Sequence, residues 1–135
     1  MKAAALGPEQ RRALLAQARA VRRRAYAPHS RFQVGAAVID EKGRVHAGCN
    51  IENASFGLTV CAERNAVAAA VAAGAKHVRA VAVVTPTHPA GSPCGACRQV
   101  LSEFATADTP VLLASPTGPA EELRLGDLLP RSFKF

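Results

Sequence analysis

The residues able to do chemistry are gathered in two short stretches. In "TVCAERNAVAAAVAAG" (59–74) a thiol, Cys61, and a carboxylate, Glu63, stand at the head of an Ala/Val run that reads as a buried helix. A buried glutamate is costly unless it is paired or put to use. In "SPCGACRQV" (92–100), Cys94 and Cys97 form a C-x-x-C at the start of another helix, directly after Pro93. Thiolate is the metal-binding form of cysteine, and the unpaired N–H groups and dipole of a helix N-terminus favour it. Three soft ligands so placed suit Zn²⁺, and three rather than four leave a position for water, which marks a catalytic zinc. Two other readings stand beside this one on the residues alone. The C-x-x-C is open to reading as a redox dithiol, although the thioredoxin-like version follows the first strand of a βαβ pattern and this one comes late. It is equally open to reading as half of a structural four-ligand site, completed by Cys49, His46, His77 or His88. Cys49, in an apolar strand, reads better as a small buried hydrophobe.

The elements that must position these groups follow from pattern. Gly7-Pro8-Glu9 opens a helix, with proline at its first position and an acid in its first turn, and Leu14, Leu15, Ala18 and Val21 mark its apolar face up to a stop before Pro28. "FQVGAAVID" and "RVHAGCNIE" flank "EKG" and read as a β-hairpin with Gly43 in the turn. "VRAVAVVT" and "PVLLAS" are short apolar strands of the kind buried on both faces of a sheet. "CGACRQVLSEFA" is the third helix, and the Pro/Gly-rich tail holds one short helical turn at most. The order is α-β-β-α-β-α-β. It predicts one domain over 1–135, an α/β fold in which helices cover both faces of a mixed sheet as a three-layer α/β/α sandwich. The middle helix is apolar nearly all round after Asn65, so burial on every side is expected, with another subunit covering what the sheet does not.

Four motifs, "RFQVGAAV", "GCNIENASF", "CAERNA" and "SPCGACRQVLSEF", in this order and spacing, resemble the small zinc-dependent cytidine deaminases across most of the chain. The resemblance implies hydrolytic deamination of cytidine and 2′-deoxycytidine to uridine and 2′-deoxyuridine, with ammonia released, as in pyrimidine salvage. It implies one Zn²⁺ per subunit on Cys61, Cys94 and Cys97, with Glu63 as the proton shuttle between water, N3 and the departing amino group. Residues i and i+2 of a regular helix face different ways, so Cys61 must sit at the non-helical edge of the first turn if Glu63 is to share its site. Three thiolates leave the zinc site at net −1, and Arg64 is implied to offset this by hydrogen-bonding the thiolates. By the same resemblance the backbone at Ala62 and Glu63 donates to the pyrimidine carbonyl, Phe32 stacks on the ring, and Asn50 and Glu52 hold the 3′-hydroxyl of the sugar. Asn50 and Glu52, two apart on a strand, point to one side. Ala54, Phe56 and Phe133 are implied to complete the pocket of a neighbouring subunit in a homotetramer. Phe56 stands where the family commonly has tyrosine.

At 135 residues, 49% apolar and 20% charged, the chain is long enough to bury a core and belongs with globular sequences. Its start, "MKAAALGPEQ", is too short for a signal-peptide apolar segment, and no run reaches membrane-spanning length, so a soluble cytoplasmic protein with no membrane partner is expected. The net charge of +7 sits largely on the Arg-rich first helix. No aromatics interleave those arginines to stack bases, so they read as solvated surface and nucleic acid is not the expected partner. Two competing activities share the zinc motifs: a polynucleotide or tRNA base deaminase, and a blasticidin-type deaminase. "NIEN" favours the nucleoside over both.

Overall fold

The computed structural model describes residues 6–135, so the reading of Met1–Ala5 as part of too short a leader lies outside the described residues. The elements are α1 (Pro8–Arg22), β1 (Gly35–Asp40), β2 (Val45–Cys49), a 3₁₀ turn (Phe56–Leu58), α2 (Ala62–Ala72), β3 (Val78–Val84), α3 (Gly95–Phe104), β4 (Pro110–Ala114), β5 (Glu121–Arg124) and a short α4 (Leu125–Leu128). The sheet order is β2-β1-β3-β4-β5. Only β3 and β4 are parallel; β1 pairs antiparallel with both β2 and β3, and β5 antiparallel with β4. The sheet is therefore mixed, and the fold is the expected three-layer α/β/α sandwich.

Strand alternation builds two cores. Ala37 and Ile39 of β1, Ala80, Ala82 and Val84 of β3, and Leu112 and Ala114 of β4 face α1 and enclose Leu14 and Ala18. Ala36, Val38, Val81, Val83, Val111 and Leu113 face the other way, onto Ala62, Ala66, Val67 and Ala70 of α2 and Leu101 of α3. Two glycines set how closely the helices approach. A Cβ on Gly48 of β2 would stand 2.4 Å from the Ala66 nitrogen and 2.8 Å from the Ala62 oxygen, so α2 lies directly on the β2 backbone. A Cβ on Gly35 would stand 2.0 Å from the Ala18 oxygen, and α1 rests there in the same way. The hairpin turn is as expected, with Gly43 at φ +80. Asp40 caps it: its buried carboxylate accepts the N–H groups of Lys42 and Arg44, each at 2.9 Å, and holds the Arg44 Nε and His46 Nε2, each at 2.8 Å.

Two expectations need correction. The tail contains a strand, β5, which lies at the sheet edge with its polar residues in solvent and so has no apolar pattern to announce it. The second strand ends at Cys49 rather than running to Glu52, because the Asn50 side chain turns back to bind the backbone of residues 32 and 34. The sheet covers one side of the middle helix, and on the other, where a second subunit is expected, Ala68, Ala69, Val71 and Ala72 are exposed. Among the described residues, no helix is long and apolar enough to cross a membrane.

Candidate active site

The starts of α2 and α3 converge beside the C-terminal end of β3, and a cavity of about 380 Å³ opens there. Cys61 and Cys94 are the N-cap residues of their helices, both with extended backbone, φ −71, ψ 156 and φ −67, ψ 166. The extended Cys61 frees its side chain from the helical progression, which is how a residue two positions before Glu63 comes to share its cavity. The Sγ of Cys94 lies 4.0 Å from that of Cys61 and 3.4 Å from that of Cys97, and all three lie within 4.8 Å of one another. Ligands about 2.3 Å from a tetrahedral zinc are separated by roughly 3.8 Å, so these sulfurs stand at the spacing of three corners of such a site. No fourth side chain among the described residues joins the cluster; Cys49, His46, His77 and His88 stand outside it. Cys49 is half-buried at the end of its strand.

The charges are arranged around the thiols. The Cys61 thiol is held down to about 6 chiefly by its hydrogen bond from Cys97, against its partial burial, with Cys94 and the charge of Arg64 adding to the effect. Cys97, fully buried, is pushed up by that same bond, by burial and by the charge of Glu63. Without metal, one thiol of the pair therefore ionises at the expense of the other, and a divalent cation is what would let all three ionise together. Glu63 is only 5% exposed. Burial pushes its carboxyl above the usual range, and the neighbouring Cys61 charge adds to the shift.

The far side of the cavity is formed by Ser30, Phe32 and Val34 from the segment before β1, and by Asn50 and Glu52 after β2. The Phe32 ring is partly exposed, at 39%. Asn50 Oδ1 accepts the Val34 N–H at 2.8 Å and its Nδ2 donates to the Phe32 carbonyl at 2.8 Å, so the amide fixes the aromatic segment as well as lining the cavity. Ala62 is fully buried and lines the cavity. Ala54, Phe56 and Phe133 do not join the cavity. All three are exposed, with Phe56 at 76% and Phe133 at 66%, and Phe56 packs edge-on to His29 in an adjoining hollow.

Several participants were missed by sequence reading. Thr59, Thr85 and Ser92 line the cavity. Thr85, at the end of a parallel strand, stands where open α/β sheets bind ligands, and that position was the available signal. Arg98 lies inside the motif "SPCGACRQVLSEF", but its spacing does not say what it binds: it donates to the Pro93 carbonyl at 2.7 Å, the Leu128 carbonyl at 2.8 Å and Ser92 Oγ at 2.8 Å, and so ties the loop that carries Cys94 to α4.

Comparison with known proteins points the same way. The family described as "Cytidine and deoxycytidylate deaminase zinc-binding region" matches residues 8–113. The cytidine deaminase of Halalkalibacterium halodurans is 49% identical over 123 residues, covering 91% of this chain and 93% of the relative. That of Mycobacterium tuberculosis is 47% identical over 109 residues, 81% of this chain and 78% of the relative. The crystal structure of the Burkholderia pseudomallei cytidine deaminase superposes with a TM-score of 0.86 at 48% identity, over 90% of this chain and 98% of that one.

Proposed function

The chain belongs to the zinc-binding cytidine and deoxycytidylate deaminase family, and from that premise we propose how its cavity works and on what. It is a hydrolase that converts cytidine to uridine and ammonia. Cys61, Cys94 and Cys97 hold the zinc of this zinc-binding family. Bound zinc supplies the Lewis acidity that makes water a nucleophile near neutral pH. Glu63 takes the proton given up as the water oxygen bonds to C4 and places it on N3. It then carries the second proton to the amino nitrogen, the C4–N bond breaks and ammonia departs. Burial lifts this carboxyl above its ordinary range, which favours its holding the proton between the two transfers. Arg64 draws charge away from the thiolates. Phe32 stacks on the base, the backbone at Ala62 and Glu63 meets its carbonyl, and Asn50 and Glu52 face the sugar. The observation that carries this reading is Glu63, buried at a helix start in one cavity with Cys61 and Cys94.

Both cytidine and 2′-deoxycytidine are substrates on this reading, because the sugar is held at its 3′ side. Free cytosine lacks the sugar whose binding orients the base, and CMP brings a phosphate toward Glu52. The functional assembly is a homotetramer in which Ala54, Phe56 and Phe133 complete a neighbour's cavity, which gives these exposed side chains a surface to cover. The chain forms one domain over 1–135, and the cytoplasm, where cysteines stay reduced, suits its four free thiols. The test is a substrate panel: the ultraviolet change of cytidine and 2′-deoxycytidine, against ammonia release from cytosine, CMP and a C-containing single strand. Efficient turnover of CMP or of the single strand overturns the pocket assignment.

A further inference from the structure

We infer that Ser30 sets how the cavity reads the sugar, by holding Glu52 in one rotamer with a single acceptor position left over. This rests on the reading above, in which Glu52 faces the 3′-hydroxyl. An ionised carboxylate offers about four acceptor positions. Glu52 Oε1 takes the backbone N–H groups of His29 at 2.9 Å and Ser30 at 3.1 Å, and Oε2 takes the Ser30 hydroxyl. Three positions are filled and one remains, on the oxygen that the Ser30 hydroxyl orients. With only the two backbone donors, both on Oε1, the carboxylate would keep freedom at Oε2, and an incoming hydroxyl would meet a mobile, hydrated acceptor.

The same Ser30 Oγ accepts the Phe32 N–H at 3.0 Å, so one hydroxyl joins the sugar side of the cavity to its aromatic wall. Between them Arg31 has φ 59, a left-handed conformation that a non-glycine residue keeps only when neighbouring bonds enforce it. Those bonds are the Arg31 N–H to the Ala27 carbonyl at 2.9 Å, the two Ser30 contacts, and the Asn50 amide on the far side of Phe32. Ser30 is thus a positioning residue, acting through Glu52 on the sugar and through Phe32 on the base.

These two routes separate experimentally. The kcat/KM of Ser30→Ala is compared with that of the unaltered enzyme on cytidine and on 3′-deoxycytidine, each ratio taken within one preparation so that a partly folded sample does not alter it. The unaltered enzyme is expected to prefer cytidine. Ser30→Ala is expected to lose about tenfold of that preference, the range of one charge-assisted hydrogen bond, mainly through KM. Ser30→Thr, which keeps the hydroxyl, should retain the preference. An equal loss on both substrates in Ser30→Ala, or a Ser30→Thr that behaves like Ser30→Ala, overturns the assignment of Ser30 and leaves the sugar reading standing. An unaltered enzyme that does not distinguish the two nucleosides removes the sugar reading, and this inference with it.

Discussion

Glu63 and Cys61 sit two residues apart and are expected to fail in different ways. Glu63→Gln keeps shape and hydrogen-bonding capacity but cannot accept and return a proton. It should retain zinc and fold while turnover drops by about 10⁴-fold or more, at or beyond the upper end of what general acid–base groups contribute. Cys61→Ala should instead lose metal and stability together, because one ion ties the starts of α2 and α3. Zinc content and turnover measured on both proteins separate the roles; an active Glu63→Gln enzyme, or one that is zinc-free, would reverse them. Asp40 gives a pH prediction away from the site. Burial alone would raise its carboxyl, but His46, the Arg44 and Lys42 N–H groups and the Arg44 guanidinium hold it well below the usual carboxylate range. A carboxyl depressed in the folded state stabilises fully above its unfolded value of about 3.9 and loses that contribution as pH falls below it. The difference in melting temperature between the unaltered protein and Asp40→Asn should therefore shrink as the pH is lowered from about 6 to about 3.

At the scale of elements, the thiol cluster depends on two helices being set down in the right places. α2 lies on the bare backbone of Gly48, so Gly48→Ala must lift or slide it, carrying Cys61 away from Cys94 and Cys97. Gly35→Ala meets backbone just as closely, but on the opposite face, under α1. Both should lower stability by about 1–3 kcal/mol or more, as overpacking does. Only Gly48→Ala should also weaken zinc affinity. Thermal unfolding and metal titration on the pair check this, and equal zinc affinities would mean the placement of α2 does not govern the cluster. α3 is held differently, by Arg98 bridging its leading loop to α4.

For the whole molecule, the arginines and the apolar surface carry the argument. Arg11 pairs with Glu122 of β5, and Arg19 donates to the carbonyls of Ser115 and Gly118, so part of the basic helix clamps α1 to the far edge of the sheet. That accounts for arginines which composition alone left as solvated surface. The exposed side of α2, with Val71 at 46%, forms an open groove with Val100 and Phe104. The C-terminal tail is anchored by Gln99 to the Phe133 carbonyl and by Lys134 to the Ser102 carbonyl, yet it leaves the Phe133 ring in solvent. Sedimentation of the active protein should give a tetramer, and Val71→Asp should shift it toward smaller species. Phe133→Ala should raise KM or lower kcat without releasing zinc. A fully active monomer would overturn both the assembly and the shared cavity.

Sequence alone determined what depends on local chemistry: three thiols and a carboxylate at helix starts, a hairpin turning at Gly43, apolar strands that must be buried, and the layered α/β/α order. Each of these is written in neighbouring residues, because periodicity, turn residues and capping act over one or two turns of chain. Tertiary structure decided what depends on groups far apart in the chain. Whether Cys61 meets Cys94 and Cys97 depends on where β2 and β3 set their helices, and Gly48 matters only because α2 lies above it. β5 is a strand because β4 offers an open edge, and the exposed half of α2 is legible only once the sheet has taken the other half. Ser30 lies just outside the four motifs, and Arg98 lies inside one whose spacing does not state its role. Their importance comes from partners that approach only when the chain has folded, since a hydrogen bond is set by distance and direction and not by spacing along the sequence.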